Sequence, residues 1–104
     1  MKPSDSHLER AVEKFQSAAQ QCRTAMEPHL GKMETDEGNF YLVLISTISI
    51  AVFKNAESPV ILAMAIEEAA AKTGIPKGAL EAHARFATEM IAVLEIRHQN
   101  RSQR

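Results

Sequence analysis

Tryptophan is absent, and aromatic residues make up only 5% of the chain. A core here must be built from Ala, Ile, Leu, Val and Met, a composition that favours closely packed helices. There is one cysteine, Cys22, so no internal disulfide framework can form and secretion gains no support. The formal net charge is only −1, which removes any long-range field toward nucleic acid or anionic lipid. The apolar block Phe40 to Phe53, which holds no charge, Pro or Gly, falls short of the about 20 apolar residues that span a bilayer. The opening MKPSDSHLER is polar and lacks the apolar core of a signal peptide. Gly-rich phosphate cradles, a Gly-x-Ser-x-Gly elbow and His-Glu-x-x-His are all missing. These absences predict a cytoplasmic protein with no enzymatic activity, no cofactor, no metal and no membrane partner.

A chain of 104 residues is the size of one domain with a modest core. Four amphipathic or apolar segments fill it. The first helix is expected from about Ser6 to about Glu27, with Ser4, Asp5 or Ser6 as cap and Ser6–Glu9 as a capping box. Its apolar positions are Leu8, Val12, Phe15, Ala19, Cys22 and Met26. They alternate in steps of four and three, which makes a narrow seam along one side. Pro28 ends the helix, since it lacks an N–H and disfavours helix at Glu27. One further turn from His29 is broken at Gly31. Thr35 or Asp36 can cap the next helix.

The block FYLVLISTISIAVF, residues 40–53, is rich in β-branched residues, which favours strand. No partner strand is visible elsewhere, and a lone strand leaves its backbone unpaired. A buried helix is therefore expected at the centre of the fold, with Ser46, Thr47 and Ser49 bonding back to carbonyls of the preceding turn. Ser58-Pro59 supplies a cap and a first helical proline. A third helix runs from there to about Lys72. Thr73-Gly74-Ile75-Pro76 stops it, and a fourth runs from about Pro76 to about His98 with Leu80, Ala84, Ala87, Ile91 and Leu94 inward. The fold class is all-α: a small bundle of about four helices around a central apolar helix, dimeric, with α+β as the alternative if 40–53 is a strand. Residues 1–96 form the domain, and 97–104 a frayed basic tail.

Residues 62–86 have the local pattern of a helix-turn-helix. Ala70 lets two helices approach, Gly74 permits the left-handed turn, and Ile75 and Leu80 fill the space between. Lys72, Lys77 and Arg85 would then meet DNA. Against this, His83 stands where a third apolar plug belongs, the second helix is long, and Glu67 and Glu68 repel phosphate. A plain helical hairpin produces the same pattern. Glu95-x-x-His98 has metal-ligand spacing but occurs once, and Cys22 lies on the apolar seam as a packing residue. The leading expectation is a small protein-interaction module, acting as a regulator, inhibitor or adaptor. It would pair with itself and with another protein through Leu8, Val12, Phe15, Cys22 and Met26. DNA binding is the alternative.

Overall fold

The structure is a computed structural model and describes residues 3–102. It consists of α1 (Pro3–Met26), a 3-10 turn (Glu27–His29), the short α2 (Leu30–Met33), α3 (Asp36–Phe53), α4 (Pro59–Thr73) and α5 (Lys77–Ser102). Among the described residues there is no strand. The all-α bundle is the observed fold, and residues 40–53 are helix rather than strand.

Local chemistry sets the boundaries. Thr35 caps α3, its Oγ1 accepting from Gly38 N at 2.9 Å. Ser58 caps α4 from Val60 N, with Pro59 in the first turn. Gly74 ends α4 at φ 76°, a left-handed conformation that needs no Cβ to be relieved. The end of α3 is a Schellman closure: Ala56 N donates to Ala51 O and Asn55 N to Val52 O. Asn55 takes the left-handed position at φ 59°, which Asn tolerates better than most side chains. Within α3 the hydroxyls bond back as expected, Ser49 to Ile45 O at 2.7 Å and Thr47 to Val43 O at 2.8 Å.

Three boundaries differ from expectation. α1 begins at Pro3, so Ser6 lies inside the helix and not at its cap. Gly31 does not break the second turn but sits within α2. α5 continues through Arg97 and Arg101 to Ser102, past the expected end near His98.

The larger difference is which helix is central. α5 packs against α1, α3 and α4 and, at about 1.5 Å per residue, runs most of the 48 Å long axis. α1 lies antiparallel to it: Gln21 meets Arg85, and Phe15 stacks on Phe86. α3 lies parallel, with Leu42 beside His83 and Lys54 beside Glu95. The expected central helix, α3, buries only Gly38, Tyr41, Ile45 and Ser49. Its other side carries exposed Phe40 and Val43. The reason is side-chain size. Ala79, Ala84 and Ala87 are buried on α5, and such small residues let three neighbours approach one helix. α3 also packs against α2, α4 and α5, but with one side only. By length and composition alone α3 could cross a membrane, and only 22% of it is buried.

The main core joins Ile45, Ile66, Ile75 and Leu80 with Met26 and Tyr41. A second, smaller cluster holds Ala11, Val93 and Ile96 at the far end of the α1–α5 pair. Tyr41 links α3 to α4. Burial raises its phenol above the ordinary value, as do the Glu68 and Glu37 carboxylates and the hydrogen bond to Glu68.

The α2–α3 corner is the tightest point. A Cβ on Gly38 would overlap the Lys32 carbonyl oxygen, whereas one on Gly31 would meet open space. Gly38→Ala should therefore destabilise the fold by about 1–3 kcal/mol. Gly31→Ala should be neutral or gain up to about 1 kcal/mol. Thermal unfolding of the two variants checks this. Equal melting temperatures would show that the corner is not tight.

Candidate apolar groove over α5

Among the described residues the chemistry-bearing side chains singled out by the sequence lie apart from one another. Among the described residues no three His, Cys, Asp or Glu side chains gather as metal ligands. Glu95 pairs with Lys54 at 3.0 Å. Cys22 is half-buried, and burial pushes its thiol up from the ordinary value. A raised thiol is the opposite of what a nucleophile needs.

Lys72, Lys77 and Arg85 are exposed but do not form one free cationic face. Lys77 Nζ lies 3.4 Å from Glu67, and Arg85 donates to Gln21 Oε1 at 2.7 Å. Lys72 stands in the last turn of α4. Ile75 and Leu80 fill the α4–α5 turn as a helix-turn-helix would, at 1% and 0% exposure. The second helix, however, is flanked by α1, α3 and α4.

What does assemble is an apolar groove. α5 forms its floor, with α1 along one side and α2 and α3 at one end. One hollow, of about 620 Å³, is lined by Cys22, Met26, Leu30, Met33, Leu42 and Phe86, among others. A second, of about 270 Å³, is lined by Val12, Phe15, Met90, Val93, Leu94 and Arg97, with Gln16. The stacked rings of Phe15 and Phe86, 5.5 Å apart, stand between them. His83, Phe86, Met90 and Leu94 follow one another along α5 in steps of three, four and four, a stripe about 16 Å long. Arg23 and Glu27 edge the first hollow, and Arg97 edges the second.

Four of the five residues expected at an interface touch this site. Val12, Phe15, Cys22 and Met26 line the hollows, although Met26 is also a core residue at 4% exposure. Leu8 packs on the small cluster instead. The floor residues His83, Phe86 and Met90 were not singled out as a site. Phe86 and Met90 stand beside the inward positions Leu80, Ala84, Ala87, Ile91 and Leu94 and widen that apolar stripe, which is the one signal the sequence carries for them.

His83 is the one polar group of the floor. Its Nε2–H donates to the Leu42 carbonyl at 3.0 Å and ties α5 to α3. A carbonyl can only accept, which fixes the tautomer. This is why a histidine takes the place of an apolar plug. Burial holds the imidazole below its ordinary value of 6.5, partly offset by the bond to Leu42. No known family, curated protein or solved structure matches the chain.

The lowered value makes stability depend on pH. Above 6.5 the ring is neutral in both states and its full contribution is present. As pH falls below that value the unfolded chain takes the proton first, so stability is lost until the lowered folded value is passed. His83→Gln keeps a donor for Leu42 but cannot titrate. Its melting temperature should fall less than wild type between about pH 7 and pH 5. Identical slopes would show that His83 does not titrate against the fold.

Proposed function

We propose that this protein is a non-enzymatic interaction module, a regulator or adaptor that holds an amphipathic helix of another protein in the groove over α5. The observation that carries this is the apolar line Phe86, Met90 and Leu94, continued at one end by His83, three turns long and walled by α1. Met90 and Leu94 are 37% and 49% exposed, so they offer area that a partner's apolar stripe can cover. Since less than half of each remains to be covered, each contributes on the order of 1 kcal/mol, a fraction of the value for full burial. The helix-in-groove mode needs this geometry: a trough the width of one helix, with anchors at i, i+3, i+4 and i+7. Arg97 on the rim, with Arg101 one turn further on α5, favours a partner with acids at that end.

Selection from a displayed library of helical peptides tests the proposal. Amphipathic helices should be enriched and should bind the full chain. Met90→Glu places a charge against the bound apolar stripe and should weaken binding at least about tenfold, or 1.4 kcal/mol. Because Met90 is outside the core, the melting temperature should change little. The affinity should respond weakly to salt. No enriched helix, or binding indifferent to Met90→Glu, would contradict the groove reading. Binding to random duplex DNA that collapses with salt would favour the nucleic-acid reading instead.

A further inference from the structure

The outer side of α3 carries a pattern that the groove does not use. Asp36, Phe40, Val43, Thr47, Ile50 and Lys54 follow in steps of four, three, four, three and four, so all six lie on one stripe. Phe40 is 59% exposed and Val43 56%, while Asp36, Thr47 and Lys54 are exposed and Ile50 is half-buried. The Thr47 hydroxyl is already satisfied by Val43 O at 2.8 Å, so covering it leaves no unpaired donor. On the adjoining α4, Val60, Ile61 and Met64 are exposed by 63%, 40% and 59%.

The stripe reads the same in both directions. Its spacing is palindromic, with an acid at one end, a base at the other and no charge between; the base, Lys54, also holds Glu95 of its own chain at 3.0 Å, so a partner's Asp36 would join that pair rather than meet a free cation. If a second α3 is laid antiparallel, Asp36 of one copy faces Lys54 of the other, Phe40 faces Ile50, and Val43 faces Thr47. A two-fold axis at the level of Ile45 makes every one of these contacts twice. This is the condition that a self-complementary interface must meet. We infer that a second copy of this chain docks antiparallel on the outer face of α3, giving a two-fold dimer whose α4 helices widen the contact.

The size of the surface agrees. With residue areas on the order of 150–200 Å², the exposed fractions amount to roughly 500 Å² per copy. The pair would bury about 1,000 Å², the lower limit of a specific interface, so association should be micromolar. A lipid surface is the weaker fit. Asp36 and Glu37 sit in the first turn of α3, Glu67 and Glu68 stand on the adjoining α4, and Lys54 is the only cation on the stripe. An anionic membrane selects a polar face rich in Lys and Arg.

The inference does not rest on the groove, which is floored by α5 and not by this outer side of α3. Sedimentation equilibrium of the full chain tests it. Wild type should be a dimer at micromolar concentration. Val43→Glu should be monomeric, with unchanged helicity and a melting temperature that no longer rises with protein concentration, and should still bind the groove-selected peptides. Asp36→Lys should weaken the dimer at least about tenfold by setting two lysines face to face. Asp36→Lys combined with Lys54→Asp should restore it in a Glu95→Gln background, which removes the carboxylate that Lys54 holds within its own chain, because the exchanged charges again oppose. A wild type that stays monomeric at hundreds of micromolar would overturn the inference, and so would a dimer indifferent to Val43→Glu. Monomer that floats with phosphatidylglycerol vesicles would also overturn it, in favour of lipid.

Discussion

The close approach permitted by alanine organises this molecule. Ala79, Ala84 and Ala87 on α5, Ala11 and Ala18 on α1, and Ala65 and Ala69 on α4 are all buried. A buried alanine contributes only about one methyl group of transfer energy, near 0.8 kcal/mol. Its larger effect is geometric. It lets backbones come close enough for the few large core side chains, Ile45, Ile75 and Leu80, to be wholly enclosed. One helix can then serve three neighbours, and the bundle is built around α5 as a hub.

That arrangement explains why so much apolar surface remains outside. A hub of small residues is saturated by a few large partners. The remaining large residues, Phe40, Val43, Met64, Met90 and Leu94 among them, find no place within the chain. They collect in two places: along the open side of α5, and on the outer face of α3 and α4. A monomer of this size rarely keeps such patches without something to cover them. Of these two places, the first is the surface proposed for a foreign helix and the second the one proposed for a copy of this chain, and the two lie on different helix faces.

Much of the fold was legible because punctuation residues act locally. Ser58-Pro59, Thr73-Gly74-Ile75-Pro76 and Thr35 each satisfy or forbid particular backbone groups, and the helices begin and end where that chemistry requires. The seryl and threonyl hydroxyls of α3 likewise needed only their own preceding turn. The centre of the bundle was not legible. Hydrophobicity marks α3 as the segment most in need of burial, yet burial depends on which neighbour leaves room. On that criterion the alanines of α5 outweigh the isoleucines of α3. The α1 seam illustrates the same limit. Its spacing puts Val12, Phe15 and Cys22 on one apolar side, but does not say that α5 takes part of that side and leaves part lining the hollows. Gly38 and His83 owe their roles to partners far along the chain or around a corner, Leu42 for His83 and the Lys32 carbonyl for Gly38. No local pattern announces such pairings.

Native-state amide hydrogen exchange, followed residue by residue, tests the hub most directly. If α5 organises the bundle, its amides between about Ala79 and Ile96 should be the slowest in the chain and should exchange only through global unfolding. Those of α3 should open earlier, in partial unfolding that leaves the α1–α5 pair intact. The opposite order, with α3 protected to the global limit while α5 exchanges through a lesser opening, would contradict the account and return α3 to the centre.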